Sequence, residues 1–175
     1  MYFFLLDLKG QIVELVFKLY FRRSELRNQV DSSLSAEFVM KGKIFVSGPI
    51  LGMETEQSYR DVVREICVRC DYEVIDPWKR EKALNDGTED GWWNNVPVAD
   101  FVRRDLEDIE KCDVLVAYLP RLSAGTCMEL FYAKLRGKKT ICICEIENPS
   151  PWLTVHSDLL LKKIGELEKA LKRKL

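Results

Sequence analysis

Apolar and polar residues alternate along the chain in a pattern that predicts β-strands separated by helices. Short runs rich in β-branched residues predict strands, and they cover residues 43–47, 72–76, 113–119 and 139–145. Between them, apolar residues recur every three or four positions, which predicts amphipathic helices over 54–70, 97–111 and 124–136. A charged helix with lysines near its C-terminus is predicted over 156–174, because cations stabilise that end of a helix.

Strands that alternate with helices are typical of a parallel sheet with right-handed crossovers. We therefore predict a flavodoxin-like (Rossmann-type) α/β fold, with helices on both faces of the sheet. Such sheets bind ligands beyond the carboxyl ends of their strands. Three segments fall at that edge: residues 47–50, residues 76–78 and the loop after Leu119. Residues 79–98 are predicted to form a long polar loop.

Residues 1–39 form a separate region in the sequence and predict an N-terminal amphipathic helical extension. Polar side chains lie three or four positions apart there, with apolar residues covering most of the remaining surface. We expect this helix to pack on its own domain or on a second subunit, and we do not expect it to contact a membrane. Because Met40 directly precedes the well-patterned region 40–175, residues 1–39 are also a candidate for a dispensable segment.

Composition excludes several classes of protein. The 175 residues carry 27 Lys and Arg against 28 Asp and Glu, and this net charge of -1 argues against binding a nucleic-acid polymer. Six cysteines without a secretory leader predict reduced thiols and a cytoplasmic protein. Two cysteine pairs, Cys67 with Cys70 and Cys142 with Cys144, could supply zinc ligands. They fall inside a predicted helix and a predicted strand, so buried thiols are the better interpretation and no metal is expected.

The segment 120–138 carries the most informative chemistry, because it follows a buried strand and opens a helix. Ser123, Gly125 and Thr126 stand at that turn, where free backbone N–H groups form an anion-binding corner. Glu129 follows within two helical turns, and an ionised carboxylate at this position is a competent nucleophile. An acidic residue that only stabilises the helix N-terminus is the alternative.

A second carboxylate could come from residues 102–113. Asp105, Asp108 and Glu110 lie on or near one predicted helix, and most such residues belong to a solvated face. Two carboxylates beside a sugar can divide the roles of nucleophile and acid/base in glycosidic cleavage. Spacing alone does not identify which acid pairs with Glu129.

Residues 43–145 resemble the nucleoside 2-deoxyribosyltransferase family and its nucleotide N-glycosidase relatives. The resemblance lies in KIFVSGPI, YEVIDPW, RDLEDIEKCDVLVAYLP and, most specifically, SAGTCMELFYAKLRGK. It implies that Glu129 attacks the C1′ carbon of the sugar and that Asp105 is the acid/base or sugar-orienting carboxylate. It also implies that Tyr59 lies near the sugar phosphate. Trp78 could stack on the base, and packing is the alternative role.

The residue at position 123 distinguishes the two groups of proteins that this chain resembles. Deoxyribosyltransferases similar to this chain commonly have an aspartate six residues before the nucleophile, whereas the 5′-monophosphate hydrolases have a serine. This chain has Ser123, and a neutral hydroxyl tolerates a phosphate that an aspartate would repel. We therefore predict that Ser123 and Gly125, with Ser47 and Gly48, bind phosphate. The alternative is that Ser123 only caps the helix.

The sequence thus predicts an enzyme that cleaves the N-glycosidic bond of a nucleoside or deoxynucleoside 5′-monophosphate, releasing the free base and a sugar phosphate. A base-exchanging nucleoside 2-deoxyribosyltransferase is the first alternative, and a non-catalytic nucleotide-binding module is the second. No metal or organic cofactor is expected, and the partner is a small nucleoside or nucleotide. The resemblance implies a homodimer or larger homo-oligomer. Base specificity, sugar preference and a role in nucleotide salvage stay open.

Overall fold

A computed structural model describes residues 40–84 and 97–173. Within these ranges, five strands form one sheet, and their bounds are β1 Gly42–Ser47, β2 Tyr72–Ile75, β3 Val114–Leu119, β4 Lys139–Cys144 and β5 Leu159–Leu161. The described helices are α1 Ser58–Arg69, α2 Pro77–Leu84, α3 Val98–Lys111, α4 Ala124–Leu135, α5 Pro151–Val155 and α6 Leu167–Lys172, with a 3₁₀ turn at Ile164–Glu166.

The strands are all parallel and lie in the order β2-β1-β3-β4-β5. This arrangement confirms the predicted α/β fold with a parallel sheet. Strands β1 and β3 lie side by side, with Ser47 opposite Ala117, and the chain leaves them towards opposite edges of the sheet. Parallel sheets bind ligands at such a point, where the strand order reverses. A ligand site is therefore expected at the carboxyl ends of β1 and β3.

Both faces of the sheet are covered, because side chains alternate between two cores along each central strand. In β1, Ile44 and Val46 belong to one core, which includes residues of α1 and α6. Phe45 belongs to the other, which includes Ile109 of α3 and Leu130 of α4. The nearly continuous apolar sequence of β3 follows from this double coverage.

The structure corrects two predictions about secondary structure. Residues 77–84 were predicted to belong to a strand end and a loop, but they form α2, which Pro77 opens at a position where a helix needs no N–H donor. The single helix predicted over 156–174 is wrong. Its first part contains β5, which pairs with β4 and extends the sheet, and only Leu167–Lys172 is α-helical. The predictions for residues 1–39, and for residues 85–96 of the predicted loop, lie outside the described residues.

The six cysteines are free thiols that face the two cores, and five of them are fully buried. Burial raises the pKa of the Cys67 and Cys142 thiols to about 12, so both stay protonated at neutral pH. Residues 40–84 and 97–173 contain no group of three or more His, Cys, Asp or Glu side chains that could hold a metal ion. No helix in these ranges has the length and apolar character needed to cross a membrane.

Candidate active site

The carboxyl end of β1 and the start of α4 bring Ser47 and Glu129 into contact. Ser47 is the last residue of β1, and its buried hydroxyl donates a hydrogen bond to Oε2 of Glu129. Glu129 lies in the second turn of α4, which begins five residues after β3 ends. The topology therefore places this carboxyl at the switch point between β1 and β3.

The environment of Glu129 favours its protonated form. Partial burial raises the pKa of this carboxyl to about 7, and the negative charge of Asp105 acts in the same direction. The Ser47 hydrogen bond and the charge of Arg60 lower the pKa but do not outweigh burial. Glu129 consequently exchanges its proton near neutral pH, as carboxyls that act in catalysis often do.

Asp105 is the second carboxyl of the site, and it is buried. It lies on α3, and Nη2 of Arg80 donates a hydrogen bond to its Oδ1 at 2.6 Å. Burial raises the pKa of Asp105 to about 6, although Arg80 lowers it through the hydrogen bond and its charge. The Asp105 charge also raises the pKa of Glu129, so the protonation of Glu129 depends on the charge state of Asp105.

A buried arginine, Arg60, joins the ends of β1 and β2, and its charge acts on Glu129. Its side chain is 2% exposed, and Nη2 donates to the carbonyl of Gly48 at 2.9 Å. Nη1 donates both to the carbonyl of Val46 and to Oδ1 of Asp76, each at 3.1 Å. The Nε–H donates to Oε1 of Gln57 at 2.6 Å. Arg60 therefore fixes the backbone from which Ser47 projects.

Tyr59 packs over the turn that follows β1. Its ring lies 4.5 Å from that of Tyr118, and its hydroxyl donates to the carbonyl of Pro49 at 3.4 Å. A Cβ at Gly48 would collide with the Tyr59 hydroxyl, so this close approach requires glycine. Burial raises the pKa of Tyr59 to about 12, with the charges of Asp76 and Glu129 acting in the same direction. The phenol stays protonated beside the carboxyl pair.

Ser123 and Gly125 stand at the N-terminus of α4. The Ser123 hydroxyl oxygen caps the helix, accepting hydrogen bonds from the Thr126 amide at 3.5 Å and from the Thr126 hydroxyl at 3.2 Å. A Cβ at Gly125 would meet no atom within 4 Å, so the backbone there faces open space. The capping role is therefore observed, while phosphate binding at Ser123, Gly125, Ser47 and Gly48 stays a prediction.

Trp78 lies in the first turn of α2. Its backbone amide donates to Oδ1 of Asp76 at 3.2 Å, and the residue is buried. With Gln57 and Arg60 it lines a cavity of about 330 Å³ that Lys79 and Lys82 border. Packing, the alternative considered from the sequence, describes this residue, and stacking on a base stays a prediction.

Sequence reasoning missed Arg80 and Glu81. Glu81 is fully buried and accepts hydrogen bonds from Arg80 and, through both carboxyl oxygens, from Arg104. These residues fell in the predicted polar loop, so their charges were expected to be solvated. The signal that could have found them is Pro77, which favours a helix start two residues after a strand.

The sequence matches a known family. The sequence model of the nucleoside 2-deoxyribosyltransferase family matches residues 44–164. No curated protein matches the chain. The fold is similar to that of a 2-deoxyribosyltransferase from Bacillus psychrosaccharolyticus, with a TM-score of 0.55 and 17% identity over 74% of this chain and 95% of that chain.

Two further solved structures share the fold. The CMP N-glycosidase BcmB of Clostridium botulinum has a TM-score of 0.50 and 20% identity, over 75% of this chain and 99% of that chain. A conserved protein from Enterococcus faecalis V583 has a TM-score of 0.57 and 15% identity, over 78% and 100% of the two chains. Since the family model spans well over half of the sequence, the chain belongs to the nucleoside 2-deoxyribosyltransferase family.

Proposed function

We propose that this protein hydrolyses the N-glycosidic bond of a nucleoside or deoxynucleoside 5′-monophosphate, with Glu129 as the nucleophile. One observation carries the proposal: a carboxyl whose pKa lies near 7 stands at the switch point of the sheet, within electrostatic reach of the buried carboxyl of Asp105. Membership of the nucleoside 2-deoxyribosyltransferase family supports chemistry at C1′. The preference for water over a second base as acceptor is our inference from Ser123.

In the proposed reaction, an oxygen of ionised Glu129 forms a bond to C1′ as the C1′–N bond breaks. The electron pair of that bond leaves with the base, which takes up a proton. Water then attacks C1′ and breaks the ester to Glu129, which yields the sugar phosphate and restores the carboxylate. The Ser47 hydroxyl holds the attacking carboxyl in place through its hydrogen bond.

The N-terminus of α4 is the proposed site for the 5′-phosphate. The first-turn amides of a 12-residue helix lack partners within the helix, and the helix dipole favours an anion there. Gly125 leaves the approach open, because no side chain covers it. The proposed phosphate therefore lies about one helical turn from the proposed nucleophile.

Substitution of Ser123 tests this phosphate site. Aspartate caps helices as well as serine does, so Ser123→Asp is expected to fold normally while its charge repels the phosphate. We expect kcat/KM for monophosphates to fall by about 10–100-fold, with little change for unphosphorylated nucleosides. Ser123→Asn, which caps without charge, should stay close to wild type. Equal losses in both variants would contradict a phosphate at this helix end.

A substrate panel tests the proposed function itself. Nucleosides and their 5′-monophosphates are incubated with the protein, with and without a second free base, and the products are separated by chromatography. The proposal predicts release of free base from monophosphates in the absence of a second base. Base exchange on unphosphorylated nucleosides would show that the protein transfers the sugar to a second base and does not hydrolyse monophosphates. Saturable nucleotide binding with no product would indicate the non-catalytic binding module.

We also infer that the protein assembles as a homodimer or larger oligomer through the outer face of α4. Met128 and Leu135 on that face are 71% and 67% exposed, and Phe131 lies between them. A continuous apolar stripe is typical of a protein interface. Met128→Glu should therefore lower the sedimentation coefficient to that of a monomer, whereas Val68→Glu on α1 should leave it unchanged. An unaltered oligomer in Met128→Glu would exclude this face.

A further inference from the structure

Arg80 contacts three carboxyl groups with its three guanidinium nitrogens. Nε donates to Oε1 of Glu81 at 2.9 Å, Nη2 donates to Oδ1 of Asp105 at 2.6 Å, and Nη1 donates to Oδ2 of Asp108. Its side chain is 25% exposed, whereas Glu81 and Asp105 are buried. A planar guanidinium bound on all three sides is fixed in position, so it presents one constant donor to Asp105.

We propose that Arg80 is a positioning residue that keeps Asp105 in its carboxylate form during glycosidic cleavage, so that Asp105 acts as a negative charge and hydrogen-bond acceptor instead of a proton donor to the base. This inference rests on the proposed function. It decides between the two roles that the family resemblance left open for Asp105, acid/base and sugar-orienting carboxylate.

The charged groups around Asp105 act in both directions, and Arg80 favours the carboxylate. From α2, Arg80 lowers the pKa of Asp105 and Glu81 raises it; from α3, Asp108 raises it. Glu129 on α4 interacts with Asp105 through charge. Within residues 40–84 and 97–173, Arg104 of α3 is a second cation whose charge acts on Asp105, but its Nε and Nη2 donate to Glu81. Arg80 is thus the cation that is hydrogen-bonded to Asp105, and such a bond favours the ionised form.

The reaction does not require a proton from Asp105, because water can supply the proton that the base takes up. When the C1′–N bond breaks, its electron pair goes to the base nitrogen, which takes a proton from water and leaves hydroxide. The hydroxide attacks C1′ of the glycosyl ester, and the bond to Glu129 breaks to give back the carboxylate. One water is consumed in total. The ionised Asp105 stabilises the positive charge that develops on the sugar as the base leaves.

The pH dependence of kcat/KM in Arg80 variants tests the proposal. If Asp105 works as a carboxylate, activity in wild type rises through about pH 6–7, where Asp105 and Glu129 lose their protons, and then stays level. Arg80→Gln removes the cation and raises the pKa of Asp105, so the rise should move to higher pH by about 1–2 units. Arg80→Lys keeps the charge and should shift less. Arg103→Gln, which removes an exposed cation of α3 that is paired with Glu107, should leave the pH of the rise unchanged.

Two outcomes of this experiment would overturn the proposal. Activity that falls above pH 7 in wild type, and persists to higher pH in Arg80→Gln, would mean that Asp105 must be protonated and serves as the acid. If Arg80→Gln lowers activity equally at every pH, so that the pH at which activity rises does not move, Arg80 has a structural role alone.

A titration that needs no turnover separates this inference from the proposed function. In protein labelled with ¹³C at aspartate carboxyl carbons, the Asp105 signal is assigned by its loss in Asp105→Asn. Its titration midpoint should move to higher pH in Arg80→Gln by about 1–2 units. A midpoint that does not move overturns the inference even if base release is observed. If the midpoint moves in Arg80→Gln but the wild-type protein releases no base from any substrate, the proposed function is refuted and the inference about Arg80 stands.

Discussion

Replacement of Glu129 by glutamine is expected to reduce base release by at least about 10³-fold, because the amide cannot form the ester to C1′. Nucleotide binding should persist, since the amide has nearly the same shape and can still accept the Ser47 hydrogen bond. Base release measured by chromatography, together with nucleotide affinity measured by calorimetry, separates the two effects. Glu107→Gln, on the exposed face of α3, is the matched control and should retain full activity.

The same substitution is expected to leave the fold intact or to stabilise it. The pKa of Glu129 is raised in the folded protein from an ordinary value near 4.5 to about 7. The folded state therefore binds more protons than the unfolded state between these values, and the free energy of unfolding falls as pH rises through this window. A glutamine at position 129 does not titrate, so Glu129→Gln lacks this fall in the free energy of unfolding. Full activity in Glu129→Gln, or activity lost only because the protein unfolds, would contradict the assigned role.

The largest effect on stability is expected from Arg60→Met. This substitution leaves the buried Asp76 carboxylate without its cation and removes the donor to the Gly48 carbonyl. Oδ2 of Asp76 is already without a hydrogen-bond partner within the described part of the chain. Breaking a buried ion pair in this way typically costs about 3–5 kcal/mol. Thermal unfolding should show a decrease in Tm on the order of 10 °C.

Two matched variants show whether the orphaned charge causes this loss. Asp76→Asn in the Arg60→Met background removes the unpaired charge and should recover part of the stability. Arg69→Met on the same helix removes an exposed ion pair with Glu168 and should change the free energy of unfolding by less than about 1 kcal/mol. An Arg60→Met protein as stable as Arg69→Met would show that Arg60 does not hold the ends of β1 and β2.

Hydrophobic patterning predicted the central fold well. Strands β1 to β4 and helices α1, α3 and α4 agree with the predicted segments to within a few residues, because each presents a clear period of two or of 3.6 residues, or a continuous buried run. Strand β5 was missed because three leucines inside a charged segment fit a helix equally well. Only pairing with β4, a contact distant in sequence, determines their conformation.

The site was predicted less completely than the fold. Glu129 and Ser47 could be placed at one edge of the sheet from the positions of β1 and β3 alone, but their hydrogen bond depends on tertiary packing. Asp105 was selected through the family resemblance. Its contact with Arg80 depends on α2, a helix that patterning did not reveal, because a short segment rich in lysine and arginine resembles a solvated loop.

Mass spectrometry of the protein quenched with acid during the first turnover would test the central claim most directly. The enzyme is mixed with a monophosphate that it hydrolyses, and its peptides are analysed. We predict that the peptide containing Glu129 gains the mass of the substrate less its base, and that Glu129→Gln gains none. Base released in a full first turnover with no labelled peptide, or with the label on another residue, would contradict the assignment of Glu129 as the nucleophile.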